Sequence, residues 1–350
     1  MTEDVWADSN TSPEAIAGAL RGMLHERHTQ SQSLAPARVL NLVVVVDREW
    51  KGEISNRLAR VGRYQASRTI LCAVEEGRTT LDGRAVMSFE ESGEGPGIVV
   101  EQIEIDIGPD RLAGLESVID PVVVSEIPTM LWSPHGHDEA VHALLGLIDV
   151  LLLDSDQLLE PEDSLAYAAE MLRSAYVVDL AWLRTTPWRE RLAASFDPPS
   201  RLPLLADLSE LRIRHQETSS ACAMLLAGWL ASRLGWEASS LAHEAGEGWV
   251  RGEASRNGDR VSVELERAEQ NAPGLAGVEV KCGDQYSLSL DRGRGGLQAH
   301  ERVGSDESRW RVLGASRGEG GILGEGVRQA LLRDPTYGPA LGAAREFAGV

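Results

Sequence analysis

The chain announces its architecture where its apolar residues stop alternating. Val39 to Val46 reads Val-Leu-Asn-Leu-Val-Val-Val-Val, a β-branched run of the kind a parallel strand shows when both its faces are covered. Trp50, Ile54, Leu58 and Val61 follow at helical spacing and lead to a second apolar stretch at Thr69 to Val74. Together these segments predict a β-α-β crossover. Ala85, Met87 and Phe89, then Ile103, Ile105 and Ile107, alternate with polar residues on either side of the Gly-rich stretch 92–97, which predicts an antiparallel hairpin added to the sheet. Crossover-type segments then resume: a short helix near Arg111 to Val118, a strand at Thr129 to Trp132, a helix carrying Val141, Leu144, Leu145 and Ile148, and a strand at Val150 to Leu153.

On either side of this region the pattern changes. Ser12 and Pro13 offer a cap and a first helical residue for a helix running to about His28, read as a leading arm. After Glu160-Pro161, Leu165, Ala168, Ala169 and Leu172 mark one helix, Trp182 and Trp188 sit on another, and Asp197-Pro198-Pro199-Ser200 makes a rigid connector. Then come a strand at Leu208 to His215, a helix with Cys222, Leu225, Leu226 and Trp229 on one side, and period-2 strands at 261–265, 278–282 and 286–290. Helices near 326–332 and 338–347 close the chain. The expected fold is α/β, with a mixed, mainly parallel sheet followed by an α+β region with an antiparallel meander. The expected domains are a helical arm at 1–36, an α/β domain at 37–160 and a C-terminal domain at 161–350.

Composition narrows the function classes. Of 350 residues, 34 are Lys or Arg and 54 are Asp or Glu, for a net charge of -20. Polyanion affinity grows with the phosphates a protein neutralises, so neither nucleic acid nor an anionic membrane is an expected partner. Cys72, Cys222 and Cys282 are odd in number and lack metal-type spacing, which predicts a reducing compartment and no structural zinc; they stand at packing positions on strands or a helix, so no thiol switch is expected. The first ten residues lack an apolar core and no run of about 18 apolar residues occurs, so the expectation is a cytoplasmic, non-membrane protein.

In an open parallel sheet, ligands sit beyond the carboxyl ends of the strands. That rule gathers Asp47, Ser133 and the loop to Asp138, and Asp154 with Asp156, as a possible ligand site. The same short polar residues also suit helix caps and turns, and both readings stand. His135 and His137 lack the further ligands of a recognisable metal motif, and Asp154-x-Asp156 lacks the Gly and Glu of a calcium loop. The Gly-rich runs 291–296 and 314–326 match no phosphate-binding fingerprint and read as loops. Arg60, Arg63 and Arg68, around Tyr64, present forked donors in an acidic protein. Nine Trp among three Phe and five Tyr are mostly core candidates, with Trp132 beside the histidine loop chosen as an interface residue. No catalytic residue, metal or cofactor is expected.

Longer blocks carry a resemblance. Leu40 to Asp47, Arg63 to Ile70, Val122 to His137, Val150 to Asp156 and Asp179 to Arg189 resemble the glucose-6-phosphate dehydrogenase assembly proteins, the OpcA family. The resemblance implies a non-catalytic assembly or activating partner of glucose-6-phosphate dehydrogenase in the oxidative pentose phosphate pathway. Arg60, Arg63, Tyr64, Arg68, Trp132, His135 and His137 are the expected contact residues. The alternative, from the strand-end loops, is a sugar-phosphate or nucleotide-binding enzyme or a metabolite sensor.

Overall fold

The Val-rich run lies at the centre of an eight-stranded sheet in the computed structural model, which describes residues 2–30, 38–61, 67–90, 98–157, 160–243, 249–313 and 318–350. Contacts divide the chain into two units. The first comprises Met1–Leu153, Ser174–Val178 and Leu323–Leu332; the second comprises Asp154–Arg173, Asp179–Ile322 and Arg333–Val350.

The chain begins with β1 (Thr2–Asp8), α1 (Pro13–Gln30), β2 (Leu40–Asp47), α2 (Lys51–Val61), β3 (Ser67–Val74), β4 (Asp82–Glu90) and β5 (Ile98–Ile107). It continues through α3 (Leu115–Ile119), β6 (Thr129–Trp132), α4 (Asp138–Leu144), β7 (Val150–Leu153), α5 (Pro161–Met171) and β8 (Tyr176–Asp179). The sheet order is β1-β4-β5-β3-β2-β6-β7-β8. From β5 through β3, β2 and β6 to β7 the pairing is parallel, whereas β4 and β1 add antiparallel strands at one side. Without β1 and β4, the order is the doubly wound arrangement of dinucleotide-binding sheets, with its switch point between β2 and β6.

Burial explains why β2 is central. Leu42 to Val46 are 0–1% exposed on both alternating faces, and Asn41 is fully buried among them. A buried amide must be bonded. Asn41 donates to the Val124 carbonyl at 2.9 Å and to Thr129 Oγ1 at 3.1 Å, and accepts from Val124 N–H at 3.0 Å. These bonds tie β2 to the segment that leads into β6. The leading segment belongs to this unit: β1 pairs with β4, and Ile16 and Leu20 of α1 are buried.

In the second unit, α6 (Leu180–Phe196), β9 (Leu208–His215), α7 (Ser220–Leu234), β10 (Glu237–Ala238), β11 (Ala242–His243), β12 (Trp249–Arg256) and β13 (Asp259–Arg267) are followed by β14 (Leu275–Cys282), β15 (Tyr286–Gly293), β16 (Gly296–Val303) and β17 (Asp306–Leu313). The chain closes with α8 (Glu319–Gln329), which spans the division between the units, and α9 (Tyr337–Ala348). The sheet order is β10-β12-β13-β9-β14-β15-β16-β17, with β11 also on β12. Among the pairs described, only β9 with β13 is parallel. The expected fold class therefore holds.

The differences have physical reasons. β17, Asp-Glu-Ser-Arg-Trp-Arg-Val-Leu, is an edge strand exposed along almost its whole length, so no apolar alternation marks it. The run 314–326 is not a loop throughout: Gly320, Gly321, Gly324 and Gly326 lie in α8, which buries Ile322, Leu323 and Val327. The run 291–296 spans the end of β15 and the turn into β16.

Helix α7 packs against α9 at very close range. A Cβ on Gly228 would lie 2.2 Å from the Ala340 carbonyl oxygen and 2.6 Å from the Ala344 nitrogen. Backbone atoms on a packed helix cannot yield cheaply. Gly228→Ala is expected to destabilise the protein by about 1–3 kcal/mol, measured as a lower denaturation midpoint at unchanged m-value.

Candidate functional site

The switch point of the first unit brings together two of the expected loops. Asp47 ends β2, and residues 133–137 follow β6. His137 Nε2 lies 3.2 Å from Asp47 Oδ1, and the rings of Trp50 and His135 meet with centroids 5.1 Å apart. Gly136 and His137 both have positive φ, and Ser133 Oγ donates to the Gly136 carbonyl, closing the loop on itself. Burial is the main influence lowering the His135 pKa, against the opposing fields of Asp47 and Glu53.

The first crossover after β2 is built from charges. Where a dinucleotide site places glycines against pyrophosphate, this chain has Asp47-Arg48-Glu49-Trp50-Lys51, and its next glycine is Gly52. Lys51 Nζ lies 2.6 Å from Asp106 Oδ1 and 3.1 Å from Glu104 Oε2, both on β5. Arg48 reaches Asp106 at 3.7 Å and Glu75 at 4.0 Å, and Glu75 also holds Arg78 at 2.6 Å. The cations that would attract phosphate are answered by carboxylates of the same unit.

Asp154 and Asp156, expected at the same strand ends, belong to the second unit and serve a different arrangement. Arg184 on α6, 7% exposed, grips Asp154 with two bonds of 2.7 Å. It also bonds Glu319 Oε2 at 2.7 Å and lies 3.6 Å from Asp156 Oδ2. Asp179 caps α6 through Ala181 N–H at 2.9 Å and accepts from Ser155 Oγ at 2.7 Å and Tyr337 Oη at 3.0 Å. Asp156 Oδ1 accepts from Cys222 N–H in the first turn of α7 at 3.0 Å. Asp154 is thus a structural ion-pair partner rather than a free ligand. Burial pushes the Asp156 carboxyl up to about 8, reinforced by Asp154 and opposed by Arg184. Burial likewise pushes Asp179 up to about 6, opposed by its Ser155 bond.

The expected contact residues separate. Arg68 is 7% exposed, bonded to Glu101 at 2.9 Å and to the Val122 carbonyl at 2.8 Å, and so is not a surface cation. Trp132, on a strand paired within the sheet, is 2% exposed and cannot reach a partner. Arg60 and His135 are exposed and His137 is half-buried, while Arg63 and Tyr64 lie outside the described residues. Trp50 and Trp310, about 40% exposed, are the accessible indoles that the sequence reading did not single out. All three cysteines are buried, and burial holds the Cys72 and Cys282 thiols up at about 12. Among the described residues no group of His, Cys, Asp and Glu is placed to hold a metal ion, and no helix is long and apolar enough to cross a membrane.

Fold and site together define an α/β protein with a doubly wound sheet whose first crossover is filled by its own ion pairs. In fold it is similar to KijD10, a 3-ketoreductase from Actinomadura kijaniata solved in complex with NADP and TDP-benzene, with TM-score 0.50, 9% identity, and coverage of 88% of this chain and 95% of that one. Residues 59–170 match the glucose-6-phosphate dehydrogenase subunit N-terminal domain, and residues 175–341 match the corresponding C-terminal domain. The chain belongs to the OpcA family. It is 25% identical over 246 residues to an OxPP cycle protein OpcA of Synechocystis sp., covering 69% of this chain and 51% of that one. It is 28% identical over 199 residues to a counterpart in Synechococcus elongatus, covering 55% and 44%. The chain spans about half the length of these curated relatives.

The Asp156 shift has a measurable sign. Its pKa rises from 3.8 to about 8 on folding, so the folded state holds a proton that the unfolded state releases between those values. Stability therefore falls as pH rises through that window and levels off above it, by at most about 1.4 kcal/mol per pH unit. Asp156→Asn, which mimics the protonated group, is expected to flatten this decline in denaturation midpoints recorded from pH 5 to 8; an unchanged slope would contradict the assignment.

Proposed function

We propose that this chain is a non-catalytic, cytoplasmic partner of glucose-6-phosphate dehydrogenase that promotes its assembly or activity in the oxidative pentose phosphate pathway. The observation that carries the reading is the first crossover, where Lys51 and Arg48 are spent on Asp106, Glu104 and Glu75. A hydride-transfer enzyme on this sheet needs an open, glycine-lined approach to its cofactor, and a sugar-phosphate or nucleotide enzyme needs uncommitted cations at the strand ends. A protein that acts by contact needs neither. Family membership supports the same reading.

Such a helper works by population shift. It binds the competent oligomer or conformation more tightly than the alternative, and a difference of about 1.4 kcal/mol changes their ratio tenfold. The accessible part of the expected contact region is Arg60 with His135 and His137, to which the exposed Trp50 ring adds apolar area beside His135. Exposed aromatic rings next to polar groups are the usual anchors of protein interfaces.

The test is a titration of purified glucose-6-phosphate dehydrogenase from the same organism with this chain, reading oligomeric mass and NADP reduction. A saturable change in either is expected, with no NADP reduction by this chain alone. Trp50→Ala, at a half-exposed position, is expected to weaken the complex at least about tenfold. NADP reduction by the isolated chain, or the absence of any complex, would defeat the proposal.

A further inference from the structure

The second unit contains a cavity of about 500 Å³ that the proposed partnership does not use, a volume within the range of small-molecule sites. Its apolar surface comes from Met224 of α7, Leu265 of β13 and Phe347 of α9. Its polar wall includes His215 and Asp156, and its charge comes from Glu160, Glu162 and Glu217, set against Arg267.

One buried side chain of this wall offers an acceptor that no other side chain answers. His215 ends β9 with 2% exposure, and its Nδ1 lies 2.8 Å from the Gln216 carbonyl oxygen. A carbonyl only accepts, so Nδ1 carries the proton and Nε2 is left as an acceptor. Burial lowers the ring's pKa, which keeps it neutral, and among the described residues nothing bonds Nε2. The polar atoms of a buried side chain are nearly always bonded, so an unanswered acceptor on a cavity wall points to a donor that the chain itself does not supply.

We propose that this cavity binds a small organic cation rich in N–H donors, an amine or guanidinium compound whose apolar stem lies on Met224 and Phe347. Its head would donate to His215 Nε2 and face the carboxylates of Glu160, Glu162 and Glu217. The excess of carboxylates over Arg267 disfavours phosphorylated sugars and nucleotides at the same place, by like-charge repulsion in a partly desolvated site. The inference stands independently of the partner proposed above.

Agmatine, which joins an amine to a guanidinium through a short apolar stem, is a suitable probe for the full chain by calorimetry, with glucose 6-phosphate as the anionic comparison. Saturable one-to-one binding of agmatine with Kd on the order of 1 mM or tighter is expected. Two variants check its location. His215→Leu removes the neutral acceptor and is expected to weaken binding about tenfold. Glu217→Gln, at an exposed position that leaves folding undisturbed, should weaken it several-fold, so the second variant keeps the test decisive should the first fail to fold. Preferential binding of glucose 6-phosphate, no heat with agmatine, or affinity unchanged in Glu217→Gln would overturn the proposal.

Discussion

A strand buried on both faces must find hydrogen bonds along both edges and cover above and below, and β2 imposes that requirement on the first unit. Its one polar side chain, Asn41, makes the requirement specific. Beside the strand pairing of β2 with β6 and the Asn41 N–H bond to the Pro128 carbonyl, the amide engages Val124 and Thr129 and so fastens the segment that leads into β6, the neighbour opposite β3. That choice of neighbours creates the switch point, and the switch point decides where Asp47 and the 133–137 loop meet. The buried amide thus helps to fix the position of the candidate crevice.

The second unit obeys the same rule with a full charge. A guanidinium removed from water is tolerable only when its donors are met, and Arg184 meets them with Asp154 and Glu319. The surrounding segment is drawn into the solution: Ser155 and Asp179 order the start of α6, and Asp156 receives the first turn of α7. Residues that look in sequence like a ligand-binding Asp-x-Asp are here the framework that holds helix starts in register.

Much of the fold was readable because burial leaves periodicity behind. The β-branched run at β2, the alternation in β4 and β5, and the three period-2 strands of the second sheet were each fixed by side chains that must face a core. β17 was not readable because its side chains face solvent, and β8 because Tyr-Val-Val-Asp holds only two β-branched residues, too few to make an apolar run. The site was harder. Strand-end geometry gathers Asp47 and the histidine loop at one switch point, but nothing local reveals that Arg68 and Trp132 are buried, since their partners come from distant segments. Arg184 did leave a trace: a cation two residues after Trp182 in an otherwise apolar helix start has to be paired somewhere. His215 left none, because an alternating strand hides a wall residue among core residues.

The ion-pair mesh at the first crossover also couples its residues to one another. Lys51 is shared by Asp106 and Glu104, and Glu75 by Arg48 and Arg78, so the members are not independent of one another. Removing any one of them leaves its neighbours a second partner, because Asp106 lies between Lys51 and Arg48, and Glu75 between Arg48 and Arg78. The mesh therefore works as a redundant clamp on the turn after β2, in which the loss of one charge is shared out among those that remain.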